Sequence, residues 1–227
     1  MIRWNQTGYD VVFTTRQGGV SGGPYASLNL GRLTQDDSAN VEENRRRVCG
    51  VLHADPTRLA INRQVHSTTV REAVAGARGA EADGLWTSEA GLPVVALSAD
   101  CLPIAVARTN GEPRLAVLHA GWRGLLAGIV ESGVAALGEG ELTAAIGPAI
   151  GPCCYEVGEE VSEQFDADLT VGRMLDLWTA AERRLRAAGV VAITRLDLCT
   201  SCNPDLFFSH RRDAGVTGRQ GVVGVVA

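Results

Sequence analysis

Val94-Val95-Ala96-Leu97-Ser98-Ala99-Asp100-Cys101-Leu102-Pro103-Ile104-Ala105-Val106-Ala107-Arg108, followed shortly by Leu115-Ala116-Val117-Leu118-His119, is the stretch whose reading decides the fold. Val94–Ser98, Ile104–Arg108 and Leu115–Leu118 are continuous apolar runs of strand length. They are of the buried type, not the alternating type of a half-solvated sheet. Leu59–Val65 repeats the pattern upstream, Val11–Arg16 reads as another strand, and Val222–Val226 closes the chain as a last one. Helical patterns lie between them. Val41–Leu52 reads as a helix with Asn40 as N-cap and Glu43 three residues on. Leu125–Leu137 has helical spacing. Leu175–Ala188 gathers Leu175, Trp178, Ala181 and Leu185 on one face and turns Arg183, Arg184 and Arg186 away from it. Strands and helices do not alternate strictly, which predicts an α+β fold of mixed β-sheets with flanking helices. Without repeats, low-complexity tracts or a linker, residues 1–227 are expected to form a single compact catalytic domain.

Composition narrows the chemistry. The 227 residues suffice for a substantial core. A net charge of −5 gives no electrostatic footprint for nucleic acid or an acidic membrane surface. All 21 basic side chains are Arg. Without Lys there is no Schiff-base lysine and no lysine-dependent phosphate loop, so any anion must be met by Arg, backbone N–H or a metal. The N-terminus does not read as a signal peptide, and no apolar run approaches the roughly 20 residues of a membrane span. A cytoplasmic location is therefore expected, where the six Cys serve as ligands, nucleophiles or core thiols more often than as disulfides.

Three potential metal ligands follow three of the apolar runs: His66 after Leu59–Val65, Cys101 after Val94–Asp100 and His119 after Leu115–Leu118. Strand ends can converge on one rim of a sheet from distant positions. Two imidazoles and a thiolate suit zinc, with the fourth tetrahedral position left open as in catalytic sites. Such a metal lowers the pKa of a bound water to about 7. Position alone also admits ordinary strand-end residues. The segment after His119 favours the site, because Gly121-Trp122-Arg123-Gly124 opens a helix. Glycines there let backbone N–H groups approach an anion, and Arg123 adds a charged donor.

Other motifs are weaker. Gly19-Val20-Ser21-Gly22-Gly23 matches a nucleophile elbow formally but is followed by loop, not helix, so a serine hydrolase is disfavoured. Arg16 beside this Gly loop reads as substrate-binding or as a plain hairpin residue. Cys199-Thr200-Ser201-Cys202 lacks a well-spaced second pair. Cys153-Cys154 are adjacent, which makes joint chelation awkward, and buried, inert thiols are expected. Arg211, Arg212 and Arg219 could bind phosphate or carboxylate. No Gly-x-Gly-x-x-Gly is present, which disfavours nicotinamide and flavin chemistry of the Rossmann kind.

Taken together the segments resemble one bacterial family, the laccase-domain or multicopper polyphenol oxidase-like proteins now associated with purine nucleoside phosphorylase and adenosine deaminase activity. The likeness rests on Thr14–Ser21 with Ser27–Leu30, Asn44-Arg45-Arg46, Gln64-Val65-His66-Ser67, Ala82-Asp83-Gly84-Leu85 and Ala99–Ile104. It continues through His119-Ala120-Gly121-Trp122-Arg123-Gly124, Ile146–Gly158, Leu198-Cys199-Thr200 and Phe207–Asp213. His210, where Tyr is expected in many relatives, and Cys202 depart from the pattern. The resemblance implies a zinc held by His66, Cys101 and His119, with copper possible at the same site. It also implies phosphorolysis of adenosine, inosine or methylthioadenosine to free base and ribose 1-phosphate. Adenosine deamination accompanies it, with a metal-activated water attacking C6 and expelling ammonia. A carboxylate must then shuttle protons, and Asp83, Asp100 and Glu156 are the candidates beside Cys101. For the nucleoside and phosphate, Arg16, Asn29, Ser67, Trp122, Arg123 and Arg212 are the expected contacts. Two alternatives stay open. One is a cysteine hydrolase acting on peptidoglycan precursors, with Cys101 as nucleophile. The other is copper-dependent polyphenol oxidation. A multicopper cluster needs more imidazoles than the chain's four His provide, so only a single copper is compatible. The oligomeric state is not legible.

Overall fold

The computed structural model describes all of residues 1–227. In chain order the strands are β1 (Ile2–Gln6), β2 (Tyr9–Phe13), β3 (Ala60–Arg63), β4 (Val70–Glu72), β5 (Arg78–Glu81), β6 (Gly84–Thr87) and β7 (Val94–Ser98). They continue with β8 (Leu102–Arg108), β9 (Leu115–Ala120), β10 (Leu142–Ile146), β11 (Thr170–Val171), β12 (Met174–Leu175), β13 (Val190–Arg195) and β14 (Gln220–Val226). The helices are α1 (Ser38–Val51), α2 (Trp122–Ala127), α3 (Ile129–Leu137), α4 (Glu159–Ser162) and α5 (Leu177–Ala187).

Two six-stranded sheets form the body, ordered β1-β2-β14-β7-β3-β5 and β13-β10-β8-β9-β6-β4; β11 and β12 make a small hairpin apart. Both large sheets are mixed. β3 runs parallel to β5 and β7, β4 to β6, and β10 to β13, while the remaining pairs are antiparallel. This is the expected α+β class, one compact domain with helices on the outer faces.

The continuous apolar runs follow from the layering. Alternate residues of one strand serve two different cores. Val11 and Phe13 of β2, Val94 and Ala96 of β7, and Ala105 and Ala107 of β8 fill the space between the sheets. Val12 and Val95 face the other way and pack with Val48, Cys49 and Leu52 around α1. Ile104 and Val106 face α3 and α5 across Leu118, Ile129, Val130 and Leu185. A strand wetted on neither face takes a polar residue only where a protein partner satisfies it, as Gln220 of β14 is satisfied by Phe208. Each fully buried Leu or Val contributes roughly 1.5–3 kcal/mol.

Three local expectations change. Helix α1 begins earlier, capped by Asp37, whose side chain accepts from Ala39 N, and not by Asn40. The helix expected over Leu125–Leu137 is two helices, because Gly128 at φ +107° ends α2 in the left-handed region and starts α3 at a new angle. Ser21 is buried and donates to Asp36 Oδ2 at 2.6 Å, so it is no exposed nucleophile. No helix is long and apolar enough to cross a membrane.

Candidate functional site

The site forms where strand ends of both sheets meet. His66 sits in the loop after β3, Cys101 in the turn linking β7 of one sheet to β8 of the other, and His119 near the end of β9. Their ligand atoms all lie within 4.8 Å of one another. Cys101 Sγ is 3.8 Å from His66 Nε2, and the two imidazoles meet edge to face with centroids 4.9 Å apart. Such spacing suits one ion bound at about 2.0–2.3 Å from each donor.

Asp83 builds this geometry from beneath. It is buried just before β6, and its Oδ1 lies 2.8 Å from His119 Nδ1 and accepts from His66 N at 3.0 Å. Its Oδ2 accepts from Val65 N, from Ser67 N and from Ser67 Oγ. Burial pushes the Asp83 carboxyl up, but the bonds from His119, Ser67 and Val65 outweigh this and hold it far below the usual carboxylate range. With Nδ1 of His119 committed to Asp83, Nε2 is the atom left for a metal.

Two backbone features complete the cradle. His66 and Asp100 both have positive φ, +61° and +93°, which non-glycine residues seldom adopt. Asp100 is held there by Thr200 Oγ1 donating to Oδ1 at 2.6 Å and by Arg211 N donating to Oδ2 at 2.7 Å. Gly121 lies directly against the ligands: a Cβ there would come within 2.7 Å of His66 Cδ2 and 3.1 Å of Cys101 Sγ.

The electrostatics fit a cation. Burial raises the Cys101 thiol, but the facing His119 and His66 outweigh it and lower it well below an ordinary thiol. Burial disfavours protonated His119, and the Cys101 thiolate and Asp83 together raise it. Both shifts favour a negatively charged sulfur facing the imidazoles, a donor set suited to a divalent cation. The His66–Cys101–His119 group can hold one metal ion. It does not fit a multicopper assembly, because of the two other His in the chain His53 lies at the end of α1 and only His210 borders the same cavity.

That cavity, of about 740 Å³, opens beside the three ligands, with Gln64, Asp100, Tyr155, His210, Arg211 and Arg219 on its walls. Its size is ordinary for a small-molecule site. Arg219 pairs with no carboxylate. Its Nη1 donates only to the carbonyls of Thr217 and Gly218, and its backbone N–H is fixed by Asn29 Oδ1. Burial lowers its pKa, while Cys101 and Asp100 draw it back up. Burial, reinforced by Cys101, pushes Tyr155 up to about 12, so its phenol stays a donor at neutral pH.

The other expected contacts are placed differently. Asn29 is fully buried and supports Arg219 from behind. Ser67 serves Asp83. Trp122 and Arg123 start α2, where Arg123 stacks over the Trp122 ring at 4.3 Å, and neither borders the cavity. Arg16 donates to the carbonyls of Ala26 and Pro204 and lies over the Phe208 ring. Arg212 is taken up by Asp213 and by the carbonyls of Thr200 and Phe207. Glu156 pairs with Arg173 on the surface, outside the cavity. Arg219, Arg211 and Tyr155 take the wall positions instead. The first two stood in the arginine cluster near the chain's end, and the neutralising Asp213 next to Arg212 was the signal that separates them from it.

The cysteines outside the site correct an expectation. Cys153 and Cys202 are exposed, not buried, and they cluster with Cys154 and Cys199 despite the adjacency of the first pair.

Comparison with known proteins agrees over nearly the whole chain. Residues 10–226 match the family model described as multi-copper polyphenol oxidoreductase laccase. Purine nucleoside phosphorylase PA4543 of Pseudomonas aeruginosa is 42% identical, with 91% of this chain and 88% of the relative covered. Purine nucleoside phosphorylase YlmD of Geobacillus stearothermophilus is 40% identical, over 91% and 86%. The crystal structure of Neisseria meningitidis protein NMB0706 superimposes with a TM-score of 0.88 at 32% identity, covering 97% of this chain and 95% of that one. A match of that extent, in sequence and in fold, means that the chain belongs to the multi-copper polyphenol oxidoreductase laccase family.

Proposed function

We propose that this single domain is a zinc-dependent purine nucleoside enzyme. It phosphorolyses adenosine, inosine or methylthioadenosine to the free base and the pentose 1-phosphate, with accompanying adenosine deamination. One observation carries the reading: a ligand set for a single ion and an Arg219 without a carboxylate partner share one open cavity of about 740 Å³. The names of the relatives, purine nucleoside phosphorylases, support the same substrate class.

A zinc held by His66, Cys101 and His119 would supply Lewis acidity and make water acidic near neutral pH. Arg219 and Arg211 bind the phosphate dianion and orient one of its oxygens toward C1′. That oxygen forms the new bond, the C1′–N9 electron pair leaves with the base, and the base takes up a proton. In deamination a water oxygen bonds to C6 and the amino group departs as ammonia. Among the three candidate carboxylates, Asp100 is the one on the cavity wall, and the proton relay is assigned to it. Asp83 positions His119 instead. Tyr155, kept protonated, donates to the nucleoside.

A specific observation also favours the cysteine-hydrolase reading: the Cys101 thiol is lowered and faces two imidazoles. Metal and nucleophile compete for the same sulfur, so one experiment separates the readings. Purified protein is analysed for zinc and copper, then assayed on a nucleoside panel with and without phosphate. Zinc at the site with phosphate-dependent base release is expected. Zinc-loaded protein that releases neither base nor ammonia from adenosine, inosine or methylthioadenosine refutes the proposal.

A further inference from the structure

Of the five cysteines that take no part in the site described, Cys49 is buried in the core and the other four come together. They lie on two loops, Gly151-Pro152-Cys153-Cys154-Tyr155 and Leu198-Cys199-Thr200-Ser201-Cys202. Backbone pairing brings the loops together: Ala149 bridges Cys199, Ala149 N donates to Leu198 O and Thr200 N to Ala149 O. Cys202 Sγ lies 3.4 Å from Cys153 Sγ and 3.3 Å from Cys154 Sγ, and all four sulfurs fall within 4.8 Å of one another. No pair is near the roughly 2.05 Å of a disulfide. A tetrahedron of thiolates about 2.3 Å from a zinc ion has edges of about 3.8 Å, inside the observed spread. Cys199 Sγ also accepts the Gly151 N–H at 3.3 Å, a bond that stabilises a thiolate.

We propose that Cys153, Cys154, Cys199 and Cys202 form a second metal centre, a closed tetrathiolate site for a thiophilic divalent cation of the zinc class. Binding displaces the thiol protons to solvent and leaves no open coordination position, so the centre is structural. Its place in the fold says what it holds together. The first loop leads directly into Tyr155 on the cavity wall. The second carries Thr200, whose hydroxyl fixes Asp100 and whose carbonyl receives Arg212. The ion ties these two walls of the pocket to each other. Adjacent Cys153 and Cys154 serve this purpose because a turn, and not a strand, carries them, so their side chains need not point to opposite faces.

Metal stoichiometry tests this without reference to turnover. The intact chain is expressed in zinc-containing medium, purified without chelator, and its metal content measured against protein by quantitative amino-acid analysis. Two equivalents per chain are expected. Cys101→Ala should keep one, and Cys202→Ser should lose one while keeping the other. Should Cys202→Ser fail to fold, Cys153→Ser serves in its place. Cobalt loaded into folded Cys101→Ala must then show intense sulfur-to-cobalt charge-transfer absorption. A Cys101→Ala protein without metal, or an intact mass showing a disulfide among the four, overturns the proposal. Retention of one equivalent by Cys101→Ala, alongside an intact zinc-loaded chain inactive on nucleosides, would uphold this centre while sinking the nucleoside reading.

Discussion

Asp83 Oδ1 stands 2.8 Å from His119 Nδ1, and the same carboxylate receives the backbone N–H groups of Val65, His66 and Ser67. One side chain thus orients the imidazole of one candidate ligand and shapes the loop that presents another. Replacement by Asn keeps the size but removes the charge and puts an NH2 where donors already point. Outer-shell partners of this kind are worth about 10–100-fold in metal affinity. Asp83→Asn is expected to weaken zinc binding by that order, measured by competition with a chromogenic chelator. Unchanged affinity would show that Asp83 merely fills space.

Gly121 offers a steric test of the same centre. A methyl group there would press on His66 Cδ2 and Cys101 Sγ, both of which need their positions to share an ion. Gly121→Ala is expected to lose most of its metal at this site while retaining the far-ultraviolet circular dichroism of the parent. A variant that binds zinc normally would show that the two ligands can move apart and still chelate.

Val94–Ser98 is legible because both its faces are buried, so its composition is fixed by packing on either side. β5, Arg78–Glu81, is exposed throughout and carries no apolar signal; only its pairing with β3 makes it a strand. β13 is likewise an edge strand, with Val191, Ala192 and Thr194 exposed. The three metal-ligand candidates could be read because each follows an apolar run. The cysteine cluster could not, since its assembly depends on Ala149 pairing with Cys199 across the fold. Nor does spacing say which arginine faces the cavity: that depends on what already neutralises each one.

Arg219 has only backbone carbonyls as partners, which leaves its charge available to an anion. Loss of a charged hydrogen bond costs about 1.5–3 kcal/mol. Arg219→Gln should therefore raise the KM for phosphate by roughly ten- to a hundredfold, with phosphate-independent deamination of adenosine less affected. Initial rates at varied phosphate decide it. An unchanged phosphate KM would remove Arg219 from the binding site.

Arg212 should behave in the opposite way. It bonds to Asp213 through Nε and Nη2, and to Thr200 and Phe207 through carbonyls, so it holds the loop that supports Asp100. Burial raises the Asp213 carboxyl, but Arg212 and Thr217 outweigh it and set its folded pKa below the ordinary value of about 4. A depressed carboxylate contributes stability that is complete above its unfolded pKa and lost as pH falls through the folded one. Asp213→Asn is thus expected to melt below the parent at neutral pH. The gap should narrow as pH drops beneath about 4, where both proteins carry a neutral group. Because the pair is partly exposed, the neutral-pH difference is modest, on the order of 1 kcal/mol. Parallel melting curves of the two proteins from neutral to acid pH check this. A gap that stays constant would mean that packing around Asp213, and not its charge, does the stabilising.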